Sequence, residues 1–214
     1  WERDGCVPRD VLRRMGEAGM LGLMFAPEYG GGGADALTNL VFAEALSQST
    51  FGGFIVTVLV HTDMASPHLV HGGSEDQKRR WLPRIVRGDA ITAVAITEAD
   101  AGSDVAAIRT RAVRDGMHWV LNGSKMFITN GALAELVFVA ARTDAAEKGS
   151  RGLSIFAIER GTLGFRVGRT LKKSGWLASD TAELVFEDCR VPADHLIGEE
   201  NSGFYAIMRN FQTE

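Results

Sequence analysis

The sequence predicts an α+β protein in three parts: an all-helical stretch over residues 1–90, an antiparallel β-barrel or sandwich over 91–195, and over 196–214 the start of a truncated helical bundle. Three observations carry this reading. Apolar residues recur at helical spacing up to about residue 90 and at alternate positions beyond it. Short β-type runs then follow one another between turn signals, the pattern of an antiparallel barrel or sandwich. Past Pro192 helical spacing returns, with Phe204, Ile207, Met208 and Phe211 on one face.

Taken in order, Val11, Met15 and Ala18 share one helical face, and Leu37, Leu40, Val41 and Ala45 share another. Between them residues 29–33 (YGGGG) read as a flexible connector. No GK[ST] follows these glycines and no strand clearly precedes them, so a phosphate loop is the weaker reading. Ser74 opens S-E-D-Q, a capping box with Gln77 in the third helical position and two acids in the first turn. The helix it starts runs through Trp81 and is expected to break or kink near Pro83. In the β region Ile108, Thr110 and Ala112 alternate with Arg109, Arg111 and Val113, and Asp115-Gly116 turns the chain. Residues 119–121 lead into Asn122-Gly123, a strong hairpin signal. Further strands are expected at 136–140, 153–158, 165–167 and 182–186, and no internal repeat is apparent.

Bulk composition mostly excludes. At 214 residues the chain has room for one large domain or two small ones. A net charge of −4 gives no basic footprint for nucleic acid, although a few local Arg or Lys residues suffice for a small polyanion. Cys6 and Cys189 have neither metal-site nor disulfide-framework spacing, and both are expected reduced, in the cytoplasm or, in a eukaryote, the mitochondrial matrix. No apolar run reaches the roughly 18 residues needed to span a bilayer, and the charged start WERDGCVPRD has no signal-peptide core. Trp1 and Glu214 both fall inside helical patterns without caps, which suggests a fragment of a longer protein. His61, His68, His71, His118 and His195 lack metal-site spacing, and no metal is expected.

The stretch 96–131 is the most informative. Two polar, glycine-punctuated loops, ITEADAGSD and KMFITNG, bracket alternating strands and present the hydroxyls of Thr97, Ser103 and Thr129. Loops held by a rigid sheet are where binding sites usually sit. The first loop resembles the T-E-P-G-A-G-S-D signature of the acyl-CoA dehydrogenase family, and the second its K-x-[WF]-I-[TS]-N-G signature, in the family's order and separation. The resemblance runs the whole length, through PEYGGGG at 27–33, HGGSEDQKRRWLP at 71–83, SDTAELVFEDCRVP at 179–192 and GEENSGFYAIM at 198–208. One departure is Ala99-Asp100, where the family has Pro-Gly. Both the fixed φ of proline and the easy positive φ of glycine are lost there.

The resemblance implies a flavoenzyme that holds FAD and an acyl-CoA thioester between an N-terminal helical domain, a middle β domain and a C-terminal bundle, of which this chain has the first two and the beginning of the third. It implies flavin contacts from Thr97 and Thr129, the latter facing N5, with Phe127 and Ile128 at the flavin edge and the backbone of Val94, Ala95 and Ile96 beside the ring. Gly102 and Ser103 fall where FAD meets the phosphopantetheine arm of the substrate. Ser150, Arg151, Tyr205 and Gln212 resemble substrate contacts of the isovaleryl branch, and Glu214 matches the base of the long-chain and isovaleryl members. Plainer roles remain open: strand-forming threonines, a helix cap at Ser103, a solvated loop at 150–151, helix packing for Tyr205 and an exposed helix glutamate at 214. The implied reaction is α,β-dehydrogenation of acyl-CoA, with an electron-transfer flavoprotein or similar acceptor and a homodimeric or homotetrameric assembly. The FAD site would be completed by C-terminal and neighbouring-subunit residues. Alternatives are a flavin oxidase or monooxygenase on the same scaffold, or a non-catalytic thioester-binding relative.

Overall fold

The computed structural model describes residues 1–147 and 149–212. Its first helix, α1 (Arg9–Glu17), buries Leu12 and Met15, with Val11 half-buried and Ala18 exposed at the C-cap. These side chains join Val7, Leu21, Val58, Ile91 and Ala178 in a small apolar cluster. The glycine connector is less flexible than expected. Successive amides of Gly31 through Ala34 donate to Ala26, Gly22, Phe25 and Leu23 carbonyls, and a Cβ on Gly31 would collide with the Phe25 carbonyl. Helix α2 (Ala36–Ser47) starts at Asp35, whose carboxylate accepts from the Thr38 amide at 2.8 Å. Its predicted apolar face exists but is uncovered: Leu37, Leu40 and Val41 are 67, 64 and 57% exposed.

Helix α3 (Gly52–Leu59) runs into a π-helical segment, Val60–Ala65, and then α4 (Ser66–Gly72). The capping box opens α5 (Glu75–Val86) as read, with Ser74 and Gln77 exchanging side-chain and backbone bonds. The helix does not break at Pro83. It continues one turn to Val86, because Leu82, Ile85 and Val86 are all buried and hold that turn to the core.

The eight strands are β1 (Thr92–Ala95), β2 (Arg111–Asp115), β3 (His118–Thr129), β4 (Leu136–Arg142), β5 (Leu153–Glu159), β6 (Phe165–Thr170), β7 (Thr181–Pro192) and β8 (Leu196–Ile197). They lie in the order β6-β7-β3-β2-β4-β5-β8, antiparallel except that β1 runs parallel beside β4 and β2 touches β4 in a parallel pair at Arg111–Arg142. The β2–β3 hairpin closes at Asp115–His118, with Gly116 at φ 58°. Asn122-Gly123 makes no hairpin. It sits within β3 at an irregularity against β7, where Gly123 adopts φ 150° and a Cβ would meet Thr110 Oγ1 at 2.5 Å.

Strands β4 and β5 are buried nearly throughout. Leu136, Phe138, Ala140, Ile155 and Ala157 face a core that includes Trp81, Ile85 and Leu69 from the helices. Val137, Val139, Phe156 and Ile158 face the other way, toward Trp119, Leu121, Leu184 and Phe186. The two strands are therefore the wall between two cores, which explains their unbroken apolar runs. Helix α6 (Gly203–Asn210) lands on the start of β5, where a Cβ on Gly203 would lie 2.8 Å from Ser154 Cα. Ile207 is buried, Phe204 and Met208 pack beside the first core, and Phe211 is largely exposed.

Candidate functional site

The loop that leaves β1 and the middle of β3 are fastened together. The loop closes as a tight turn, with the Glu98 amide donating to the Ala101 carbonyl at 2.8 Å and the Ala101 amide returning to Glu98 at 3.3 Å. Neither Ala99 nor Asp100 adopts positive φ, so this turn forms without the proline and glycine it lacks. Asp100 meets Arg109 at 3.1 Å, both exposed. Opposite, β3 bulges: Lys125 pairs with Leu184 and Ile128 with Ala182, leaving Met126 and Phe127 facing Glu183 alone. Phe127 takes φ 60°, an uncommon conformation for an aromatic residue, and the Met126 amide donates to the Thr97 carbonyl at 2.9 Å.

Lys125 lies fully buried beside this contact. Its Nζ donates to the Ile96 carbonyl at 2.9 Å and to Glu98 Oε1 at 2.8 Å. Glu98 also accepts from the amides of Arg109 (2.7 Å) and Thr110 (3.0 Å). Burial opposes ionisation of Glu98, but the Lys125 charge and these donors hold its carboxyl below the ordinary value. Burial likewise draws the Lys125 ammonium down to about 8, against the attraction of Glu98. Both groups are charged at neutral pH.

Alternation then sorts the candidate flavin residues. Ala95 and Ile128 turn their side chains into the core, so only their backbones face outward. Val94 and Ile96 are half-buried against the helical core. Phe127 stands out with 60% of its surface exposed. Thr97 and Thr129 are half-buried, and their hydroxyls make no hydrogen bond among the described residues. The following turn is pinned from two sides. Asn130, at φ 62°, donates Nδ2 to the carbonyls of Thr57 (3.0 Å) and Thr92 (3.2 Å). Asp180 accepts from the Ala132 amide at 2.6 Å, its carboxyl raised by burial despite that bond. Behind it, buried His61 accepts from the Thr92 amide at Nδ1 (3.0 Å), leaving Nε2–H for the Ile85 carbonyl (3.2 Å). Burial lowers this imidazole to about 4.

A third loop joins through Arg142, at the end of β4. Its guanidinium donates to the carbonyls of Ala106 and Ile108 on one side and of Glu147, Gly149 and Arg151 on the other, at 2.8–3.2 Å. The segment after Ser103 is thereby held beside Ser150, half-buried, and Arg151, exposed. Gly102 and Ser103 are exposed, and a Cβ on Gly102 would touch nothing. Ser103 caps no helix, since Asp104 takes the N-cap of the short 3-10 turn Val105–Ala107. At the same end of the sheet Thr143 Oγ1 donates to Asn201 Oδ1 (2.7 Å), and the Asn201 amide donates to Ser154 (2.8 Å), anchoring the start of α6. Tyr205 on α6 is 64% exposed and borders a cavity of about 410 Å³ with His68, His71 and Arg209. Gln212 is exposed, and Glu214 lies outside the described residues.

The residue reading missed Lys125, Glu98 and Arg142 as the groups that fix the loops. One signal was available for Lys125, a charge in the buried phase of an alternating strand. Among the described residues no group of three or more His, Cys, Asp or Glu is placed to hold a metal ion, and no helix is long and apolar enough to cross a membrane.

The two loops thus carry unbonded hydroxyls at Thr97 and Thr129, an exposed aromatic at Phe127 and an uncrowded Gly102-Ser103 segment. Residues 1–89 match the acyl-CoA dehydrogenase N-terminal domain and residues 93–189 its middle domain. The long-chain specific acyl-CoA dehydrogenase of Mus musculus mitochondria is 44% identical over 100% of this chain and 50% of its own length. An acyl-CoA dehydrogenase of Geobacillus kaustophilus superposes with a TM-score of 0.95 at 45% identity, over 100% of this chain and 56% of that one. A glutaryl-CoA dehydrogenase of Mycobacterium smegmatis in complex with FADH2 superposes at 0.90 with 35% identity, over 100% of this chain and 53% of that one. The chain thus spans about half the length of the relatives it matches. With the two domain matches following one another along the chain and the fold shared throughout, this chain belongs to the acyl-CoA dehydrogenase family, of which it carries the N-terminal and middle domains.

Proposed function

We propose that the protein carrying this chain removes one hydrogen each from Cα and Cβ of an acyl-CoA thioester, giving the trans-2-enoyl-CoA. The observation that supports the reading is the meeting of the two loops through the Met126 amide and the Thr97 carbonyl, beside the bulge that carries Phe127. Thr97 and Thr129 would hold the heteroatom rim of FAD through their free hydroxyls, and Phe127 would lie along the ring edge. The backbones of Val94, Ala95, Ile96 and Ile128 complete that wall. Gly102 and Ser103 offer room and a hydroxyl where pyrophosphate and pantetheine approach, and Ser150 and Arg151 would meet the CoA phosphates, for which a guanidinium is well suited. Tyr205 and Gln212 would line the thioester side.

Bound FAD supplies the acceptor for the hydride lost from Cβ. Glu214 is the proposed base that takes the Cα proton, which the thioester carbonyl acidifies. Its assignment rests on the match of Gln212-Thr213-Glu214 to the long-chain and isovaleryl pattern. The electrons would pass on to an electron-transfer flavoprotein or similar carrier, and residues of the C-terminal domain and a neighbouring subunit would close the site in a homodimer or homotetramer.

The test uses the complete protein loaded with FAD and mixed anaerobically with acyl-CoA. Glu214→Gln should slow flavin bleaching by about 10²–10⁴-fold, the usual worth of a positioned base. Thr129→Val should weaken FAD binding or slow its reduction about fivefold, the worth of one neutral hydrogen bond. Bleaching of Glu214→Gln at the wild-type rate would move the base to another residue. An unchanged Thr129→Val would count against the flavin cradle itself.

A further inference from the structure

We infer that Lys125 and Glu98 are a positioning pair, which sets the two candidate flavin loops in register and so places Thr97 against Phe127 and Thr129. What the loops hold rests on the proposed flavin cradle. That they are fastened here is geometry.

Three consecutive loop residues are gripped by two consecutive strand residues. The Ile96 carbonyl and the Glu98 carboxylate receive Lys125 Nζ, and the Thr97 carbonyl receives the Met126 amide. Glu98 extends the grip onward by accepting the amides of Arg109 and Thr110, fixing where the chain re-enters the sheet at β2. The β3 bulge sits immediately after Lys125, and Phe127 is held there at φ 60°. An aromatic residue keeps such a conformation only where its surroundings over-determine it. Here the fixed points on either side are Lys125, bonded to the loop, and Asn130, bonded to Thr57 and Thr92.

The choice of residues is informative because the position does not need a charge for stability. Lys125 occupies a buried strand position where an apolar side chain would serve the core. Replacing a buried ion pair by well-packed apolar residues of similar volume is often neutral or stabilising, whereas removing one partner is strongly destabilising. The ammonium instead supplies what an apolar residue lacks: several donors that reach a loop carbonyl and a loop carboxylate at once. Its contribution is therefore to loop position.

The experiment separates stability from position with two variants of the complete protein. Lys125→Met leaves Glu98 buried without a countercharge and should lower the unfolding temperature of the apo-protein. Adding Glu98→Gln removes that charge and keeps a carbonyl acceptor for the Arg109 and Thr110 amides, and should return most of the lost unfolding temperature, leaving the cost of the donor lost to the Ile96 carbonyl. The double variant should nevertheless bind FAD at least about tenfold more weakly. Its Met126 and Ala101 amides should exchange hydrogen at least about tenfold faster, while β4 and β5 exchange as before. Recovery of FAD affinity to within twofold together with stability would overturn the inference, leaving the pair merely structural. If the double variant does not fold, Glu98→Gln alone decides by the same exchange measurement, and unchanged protection there overturns it. If wild type binds no FAD, the flavin reading fails, and unchanged exchange in the double variant would still sink the positioning role separately.

Discussion

Arg142→Met should loosen the loop that carries Ser150 and Arg151 and reduce stability by about 3 kcal/mol. The guanidinium serves five carbonyls, but they are not equal. Those of Glu147, Gly149 and Arg151 lie in exposed surroundings, where water replaces a lost donor at little cost. Those of Ala106 (2.8 Å) and Ile108 (3.2 Å) are partly buried, and each loses a bond to a charged donor worth about 1.5 kcal/mol at the low end of the range. Methionine fills most of the aliphatic volume, so packing adds little. Urea titration of the complete protein measures the total, and limited proteolysis between residues 143 and 152 reads the loop. A stability change under about 0.5 kcal/mol with unchanged proteolysis would refute this account of Arg142. If cleavage rises but the KM for acyl-CoA stays as it was, the loop is held by Arg142 without serving the substrate.

What was legible in the sequence follows the range of the interaction that decides each feature. The cap at Ser74 and the turn at Asp115-Gly116 are set by neighbours three residues away or fewer, and both were readable. Asn122-Gly123 has the same local chemistry as a hairpin, yet Asn122 exchanges bonds with Asp188, 66 residues on, and the pair settles as an irregularity in a continuous strand. Pro83 marks a helix end by local rules, but burial of Ile85 and Val86 carries α5 past it. Leu37, Leu40 and Val41 show correct spacing, which says nothing of what covers a face. The site divides in the same way. Its candidate cofactor groups, Thr97, Phe127 and Thr129, are proposed from the resemblance of short motifs. The groups that fasten it were not, because Lys125 and Glu98 are 27 residues apart and Arg142 reaches Ala106 across 36.

Two further outcomes are expected. Gly123→Ala should destabilise the fold by about 2–3 kcal/mol in urea titration, since its Cβ would lie 2.8 Å from Thr110 Cα, where neither backbone has room to yield. A cost below about 0.5 kcal/mol would show that the β3 irregularity relaxes freely. Stability should also fall on mild acidification, through histidines buried in the neutral form. Burial lowers His61 and His68 to about 4, from 6.5, and the shifts of His71 and His195 have the same direction. Between pH 6.5 and 4 the unfolded chain takes up protons that the folded chain refuses, so unfolding is favoured as pH falls. Each of His61 and His68 contributes a slope of about 1.4 kcal/mol per pH unit and about 3 kcal/mol in all by pH 4. The carboxylates held low, Glu98 and Glu159 among them, act below their ordinary value of 4.5, and Asp180, raised by burial, opposes the histidines on acidification, so the comparison with a histidine variant reads the histidine share. His68→Gln should remove one histidine's share of that slope, because the amide does not titrate. A slope from pH 6.5 to 5 that is untouched by His68→Gln would mean that this imidazole is protonated in the folded protein.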